Sequence, residues 1–421
     1  MIMKPFTNEI LPQGYKMTEL GPLPEEWEVI RLGEVCKVDW GNTSLTKKLY
    51  TANGYPAFSA AGNDGFLDFY EHDGEAVILS AIGARSGKCF YASGKWTAIK
   101  NTIVIKSNNE TKINLLFLYF FVNNENYWHK SGSGQPFISI GVAQKQKLPL
   151  PPLPEQQKMA AVLSAVQEAK EKTRAVIDAT KALKKSMMKH LFTYGPVSPE
   201  EAANVPLKET EIGKVSEEWE VVKLGEVTDF SKKPRDLDAN IFEKIPFIPM
   251  EVIPIDKIYI KDYVMKKPTE ISSGVYCEKG DILLPKITPC FENDKQGIVE
   301  DIPSDFAFAT TEVYPIKPKK DFLDKLFLFY FLIRPDIRKD ISEKMQGTTG
   351  RRRVPKNTVV NILFPLPPLP VQQKIASILS AIDEKIQAEE TKEKALEDLF
   401  RSLLSHLMNG KIRVKDLVIG D

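Results

Sequence analysis

Arginine, lysine and glutamine cluster in a few glycine-rich stretches, and these side chains can grip the polar edges of a ligand. GARSGK (Gly83 to Lys88) combines flexible backbone with Arg85, Ser86 and Lys88, and SGSGQPF (Ser131 to Phe137) adds Gln135. QGTTGRRRVPK (Gln346 to Lys356) carries Arg351, Arg352 and Arg353 in succession. Three like charges in one loop repel, so they call for a counter-anion. Lys232, Lys233 and Arg235 lie in another basic loop, and Lys286 follows a strand-like run. Arginine reaches guanine O6 and N7 with two hydrogen bonds, and glutamine can do the same for adenine. Some of these residues would contact phosphates, which position a nucleic acid without specifying its sequence. Taken singly, any one of them also fits a solvated surface charge.

Covalent chemistry finds little support. GARSGKC is one residue short of a phosphate loop, and Cys89 stands where that loop needs Ser or Thr. No GxGxxG follows a strand and opens a helix, no HExxH occurs, and no Asn/Asp-Pro-Pro-aromatic motif of amino-methyltransferases is present. Cys36, Cys89, Cys277 and Cys290 form no CxxC pair, so neither a structural zinc nor a disulfide framework is expected, and a reducing cytoplasm fits best. Asp281 with Lys286 is the starting pair for an enzyme of unfamiliar type. No bound cofactor or metal is expected in this chain.

The elements that must position these loops are written twice. TELGPLPEEWEVIRLGEV (Thr18 to Val35) returns as TEIGKVSEEWEVVKLGEV (Thr210 to Val227), offset by 192 residues. PLPPLPEQQKMAAVLSA (Pro149 to Ala165) returns as PLPPLPVQQKIASILSA (Pro365 to Ala381), with 13 of 17 positions identical, now offset by 216. LFLYFF (Leu116 to Phe121) is echoed by LFLFYF (Leu326 to Phe331), and both read as buried helices. The ends of the two copies agree while the middles differ, as expected of one frame serving two targets. EAVILSAIG, AIKNTIVIK and GDILLPKI read as strands. Trp27 and Trp219 recur as core anchors. His190 and His406 recur near the helix ends, where packing or the helix dipole accounts for them.

After each proline cassette comes a long stretch free of Pro and Gly, Glu155 to Phe192 and Val371 to Asn409, rich in good helix formers. Met159, Val162, Val166, Ala169, Thr173, Val176, Leu183 and Met187 form a heptad-like stripe on the first helix. Ile375, Leu379, Ile382, Ile386, Leu396, Phe400, Leu403 and Leu407 do so on the second, where Glu389 and Glu393 interrupt it. The fold class expected is α+β. Two globular domains are separated by two long antiparallel helices that form a coiled coil, as a pseudo-twofold internal repeat. The segments expected are 1–150 and 196–366 as recognition domains, 151–195 as the first long helix, and 367–421 as the second helix with its tail. The leader before Thr18 and the tail KIRVKDL (Lys411 to Leu417) are expected to pack together. Hydrophobic content of 43% and charged content of 27% over 421 residues read as a soluble multidomain chain. The formal net charge of +1 means that any DNA affinity must come from local patches. No signal-peptide order is present, and the most apolar run, Leu115 to Val122, is too short to span a bilayer.

The duplicated EEWEVxxLGEV starts, the duplicated PLPPLPxQQKxAxxLSA cassettes and the long helices after them resemble the DNA specificity subunit of type I restriction–modification systems. The resemblance runs from Thr18 to about Arg413. It implies two target recognition domains, about 18–150 and 210–366, reading double-stranded DNA. It further implies two methyltransferase (modification) subunits held by the helices, which bind S-adenosylmethionine and methylate adenine. A restriction subunit would add ATP-dependent cleavage. The chain itself would be non-catalytic, with no membrane association. A non-DNA protein–protein adaptor with twin domains is the alternative.

Unlike middles predict an asymmetric, bipartite site, with half-site centres about one helical turn, roughly 34–36 Å, apart. Inserting one heptad into both helices should lengthen the spacing by about 10 Å, or about 3 base pairs. A variant of this kind that keeps the original gap would show that the helices do not set the spacing.

Overall fold

The structure is a computed structural model that describes residues 11–132, 134–348 and 350–414. The chain divides into two compact units, Met1–Arg174 with Thr391–Asp421, and Ala175–Glu390. The division falls within both long helices, Leu153–Tyr194 and Leu369–Met408. Among the described residues, no helix is long and apolar enough to cross a membrane.

The first unit opens with an antiparallel hairpin, Tyr15–Thr18 with Gly21–Pro24. Strand Glu28–Arg31 then pairs antiparallel with Lys147–Leu150, which brings the repeated EVIR beside the cassette. LGEV is one helical turn, Leu32–Val35. Its glycine permits a close approach: a Cβ at Gly33 would lie 3.1 Å from the Gln144 side chain, on helix Ile140–Lys145. Two four-stranded sheets follow. One is antiparallel, in the order Cys36–Trp40, Thr102–Ser107, Ala76–Ser80, Cys89–Ala92. The other has the order Gly62–Leu67, Tyr55–Ser59, Lys95–Ala98, His72–Asp73, with one parallel pair. Side chains alternate across a strand. Val77 and Leu79 therefore enter the main core while Ala76 and Ile78 join a second cluster with Phe58 and Trp96. Burial on both faces is why this strand reads as an unbroken apolar run.

The second unit repeats the plan. Hairpin Leu207–Thr210 with Gly213–Ser216 precedes strand Glu220–Lys223, which pairs with Leu363–Leu366. Gly225 of its LGEV turn has Val360 Cβ 3.0 Å from where its own Cβ would be. A five-stranded sheet has Ile282–Pro285 at its centre, with Ile282 and Leu284 in the main core and Leu283 in another cluster. A four-stranded sheet runs Val264–Lys266, Ile245–Ile248, Phe306–Ala309, Val275–Glu278. Trp27 and Trp219 are buried, each one residue before its strand.

The apolar blocks are helices Leu115–Val122 and Lys325–Leu332. A helix apolar all round must be buried on most of its faces. Asn114 caps the first by accepting from Phe117 N–H at 2.8 Å, and Asp324 caps the second by accepting from Leu326 and Phe327 N–H at 2.9 Å. Each cap is tied to the cassette by one fully buried glutamine. Gln156 Oε1 accepts from Asn114 N–H (2.9 Å), and its Nε2 donates to the carbonyls of Lys112 (2.9 Å) and Pro151 (2.8 Å). Gln372 repeats the pattern with Asp324 N–H (2.9 Å) and the carbonyls of Phe322 (2.9 Å) and Pro367 (2.8 Å).

Within each unit the long helices pair antiparallel. In the first, Lys170 binds Glu397 (2.7 Å) and Arg174 binds Glu393 (3.2 Å), while Phe400 packs edge-on against Phe120. In the second, Lys184 binds Asp383 (2.6 Å), Lys181 binds Glu390 (2.8 Å), and Asp383 also accepts from the Tyr330 hydroxyl (2.8 Å). The stripe expected on the second helix is buried or half-buried throughout. The first helix departs from expectation, because Val176 and Leu183 are exposed and the seam uses Ile177 and Met188. From Met159 to Thr173 the expected stripe is buried or half-buried, and only beyond Thr173 does the seam lie about one residue further along.

Glu155 stands where the second cassette has Val371, and the reason is the tail. Arg413 donates to Glu155 at 2.7 and 2.9 Å and to Glu26 at 2.9 Å. These carboxylates, Glu155 foremost, push the guanidinium pKa up. Glu155 also accepts from Trp27 Nε1 (3.0 Å), and the Tyr15 hydroxyl donates to the Gly410 carbonyl. The tail thus packs through Arg413 on the cassette and the Trp27 segment, while the leader, described from Leu11, reaches Gly410 at the end of the second long helix through Tyr15; the remainder of both lies outside the described residues. His190 Nε2 lies 2.9 Å from the Val197 carbonyl and His406 Nδ1 2.8 Å from the Ser402 carbonyl, so both serve their helix ends.

Replacing Gln156 or Gln372 by alanine strands three backbone groups, one buried and two part-buried, at a cost of about 2–4 kcal/mol in urea unfolding. The same change at the exposed neighbours Gln157 and Gln373 should cost less than about 0.5 kcal/mol. Equal effects at both pairs would remove the glutamine from its structural role.

Candidate nucleic-acid interface

In the first unit, strand Ala76–Ser80 runs straight into GARSGK. The Gly83 N–H donates to the Pro136 carbonyl, and the Ile138 N–H to the Ala81 carbonyl, both at 2.9 Å. Ser131 and Phe137 exchange backbone bonds at 2.8 and 2.9 Å. Two loops some fifty residues apart are thereby stitched together, which the sequence did not indicate. In the second unit, strand Ile282–Pro285 runs into Lys286–Thr288. The Val354 N–H donates to the Lys286 carbonyl (2.7 Å), and the Thr288 N–H to the Arg352 carbonyl (3.0 Å). Gln346 and Arg353 exchange bonds at 2.9 and 2.7 Å. The frames match bond for bond.

Side chains on the first frame fall into three groups. Arg85, Lys88 and Gln135 are exposed. Arg85 stands at the wall of a cleft of about 600 Å³ that Lys47, Lys48 and Lys100 also line. Those three lysines were missed in the sequence; the Lys47–Lys48 doublet in a polar stretch was the available signal. Lys47 is ion-paired with Asp64. Ser86 corrects the expectation: it is fully buried, because the turn that follows Gly83 folds its hydroxyl inward, so it cannot contact a ligand. Trp40, 38% exposed, stacks on Phe137 with ring centroids 6.1 Å apart.

On the second frame, two of the three arginines already have counter-anions. Arg353 forms a two-pronged pair with Glu312, at 3.0 and 2.8 Å, and Arg352 pairs with Glu292. The Arg353 guanidinium holds the Glu312 carboxyl below the usual carboxylate range. The counter-anions that three adjacent arginines call for are thus supplied within the chain for two of them, by Glu292 and Glu312. Arg351 is exposed, and among the described residues no acidic side chain pairs with it. Lys286 sits over the Tyr314 ring, 5.2 Å from its centroid, and the Tyr314 hydroxyl donates to the Val354 carbonyl at 2.8 Å. Lys232, Lys233 and Arg235 are exposed on the loop after strand Thr228–Phe230. Among the described residues no hydrogen bond joins them to the Arg351 frame.

Catalytic candidates fare worse. Asp281 and Lys286 flank strand Ile282–Pro285 at opposite ends, roughly 17 Å apart by strand rise, so that pair cannot act together. Asp281 is buried, which raises its pKa, and accepts from the Glu278 N–H at 2.8 Å. Burial pushes the Cys36 thiol up to about 12, and those of Cys89 and Cys277 are also raised, so none is a poised nucleophile. Among the described residues, no group of three His, Cys, Asp or Glu side chains could hold a metal.

Twin units of one plan, each offering a paired-loop frame beside a buried strand, define a duplicated recognition module. Residues 24–179 and 216–398 match the type I restriction modification DNA specificity domain, and the chain belongs to that family. The MjaVIII specificity subunit of Methanocaldococcus jannaschii is 28% identical over 420 residues, covering 94% of this chain and 95% of that protein. The EcoAI specificity subunit of Escherichia coli is 29% identical over 198 residues, 46% of this chain and 33% of that one. The crystal structure of a type I restriction–modification S subunit from M. genitalium shares the fold, with a TM-score of 0.62 at 18% identity over 90% of this chain and 96% of that chain.

The Arg353–Glu312 pair is present at neutral pH, because the depressed carboxyl is ionised there. It is lost as the pH falls through the depressed value of that carboxyl. Glu312→Gln should therefore lower the protection of the Gln346 and Arg353 amides against hydrogen exchange at neutral pH. Unchanged exchange in the variant would mean that the backbone frame holds without the pair.

Proposed function

We propose that this chain is the non-catalytic reader of a type I restriction–modification complex. It binds an asymmetric, two-part DNA site, one half per unit, and scaffolds methyltransferase subunits through its long helices. The observation that carries this reading is the specificity domain matched in both halves of the chain, each half holding the same loop frame with different side chains. Like frames place unlike readers, and unlike half-sites follow. Exposed Arg85, Lys88, Gln135 and Arg351 and half-buried Lys286 are the contacts the surface offers, with Lys232, Lys233 and Arg235 as outlying phosphate contacts. Lys47, Lys48 and Lys100 add positive charge beside Arg85. Arg352 and Arg353 act chiefly by holding the loop.

The chemistry belongs to partners. S-adenosylmethionine would be bound by the methyltransferase subunits and ATP by the restriction subunits, all in the cytoplasm. A net charge of +1 leaves this chain little general attraction to DNA, so its partners' basic surfaces supply most of the salt-dependent affinity.

Single-molecule methylation sequencing of the source genome, repeated after deletion of this gene, tests the reading. Loss of one split, asymmetric adenine motif on deletion is the expected result. If every methylated motif survives, the chain does not direct methylation, and a protein–protein adaptor becomes the better description.

A further inference from the structure

The two frames can be aligned residue by residue from their hydrogen bonds alone. Ala81, Ile82 and Gly83 correspond to Lys286, Ile287 and Thr288, because each set makes the same backbone bonds to the partner loop. Pro136, Phe137 and Ile138 likewise correspond to Arg352, Arg353 and Val354. The glycines that open the loops match as well. Gly132 and Gly347 both have positive φ, +91° and +129°. A Cβ on Gly132 would lie 2.6 Å from the Gln135 carbonyl, and one on Gly347 would lie 2.6 Å from the Arg351 carbonyl. Gln135 and Arg351 therefore occupy the same place in the two units.

At that place the side chain is exposed in both units, while its neighbours are engaged. Phe137 is stacked on Trp40, Arg352 is paired with Glu292, and Arg353 with Glu312. Pro136 has no side-chain donor. Within the aligned triplets 135–137 and 351–353, one exposed polar side chain without such a partner is left in each, an amide in the first unit and a guanidinium in the second; Arg85, Lys88 and Ser131 on the first frame and Gln346 and Thr348 on the second are exposed as well. Glutamine is matched to the adenine edge and arginine to the guanine edge in the major groove.

We infer that residues 135 and 351 are the equivalent base-reading positions of the two units, Gln135 specifying an adenine in one half-site and Arg351 a guanine in the other. This rests on the reading of the chain as a DNA specificity subunit. Arg85, Lys88 and Lys286 serve as phosphate contacts that fix the register.

The test is methylation sequencing in a host expressing the modification complex with wild-type or variant chain. Q135R should change one adenine to guanine in one half-site, and R351Q one guanine to adenine in the other, each leaving the opposite half intact. Q135A and R351A should relax that one position, losing ~10- to 100-fold of the preference for the wild-type base. Both sites are exposed, so the melting temperature should match the wild type. A variant that methylates the wild-type motif with unchanged preference at every base overturns the inference. Normal melting with a uniform loss over all sequences marks a phosphate contact and overturns it too. If the wild-type complex writes no split motif at all, the DNA-reading role itself fails, and the inference falls with it.

Discussion

Each unit depends on one buried amide. Gln156 and Gln372 each join two pieces of chain that are distant in sequence: the cassette, and the loop that leads into the cap of the apolar helix. A primary amide has one acceptor and two donor hydrogens, so a single side chain can satisfy all three groups without water. Because the glutamine lies in the first turn of the long helix, its bonds also fix how that helix leaves the unit. The prolines before it end the strand without offering N–H groups that would need partners. The glycine of LGEV then allows a second helix to close over the strand that pairs with the cassette. Fixed together, these contacts explain why strings separated by some two hundred residues stay so alike.

Specificity in such a design is separated from stability. The backbone frame of the paired loops recurs bond for bond, whereas the side chains it carries do not. Gln135 and Arg351 can differ because neither is needed to hold its loop; backbone bonds and close-packed glycines do that. Acidic partners matter as much as the cations. Glu292 and Glu312 neutralise two of the three arginines and leave one free to discriminate. An unpaired triple arginine would bind any phosphate run and blur the choice.

Much of the architecture was legible in the sequence because local patterns encode it. The long helices, the apolar helix blocks and the central strands follow from composition and apolar runs. The seam in the second half of the first helix was placed about one residue off, since Val176 and Leu183 are apolar yet exposed while Ile177 carries the contact. Heptad bookkeeping on a sequence with several candidate stripes cannot decide between adjacent registers. Loop residues were harder. Ser86 looked like a ligand group in a glycine loop, but a turn buries it. The joining of Gly83 to Pro136, and of Thr288 to Arg352, is a tertiary bridge with no local signature. For the same reason Lys100, one strand away from Arg85, gave no sign that it shares a cleft with it.

The first unit is closed by the far end of the chain, through Arg413 on Glu155 and Glu26 and through Gly410 against Pro24 and Trp27. The second unit is contiguous, Ala175–Glu390. During synthesis the order of completion is therefore reversed relative to the order of translation. The second unit has all its residues while the first, made earlier, still waits for its last helix and tail. A nonsense codon near the 3′ end of the gene would spare the second unit and leave the first exposed to proteases.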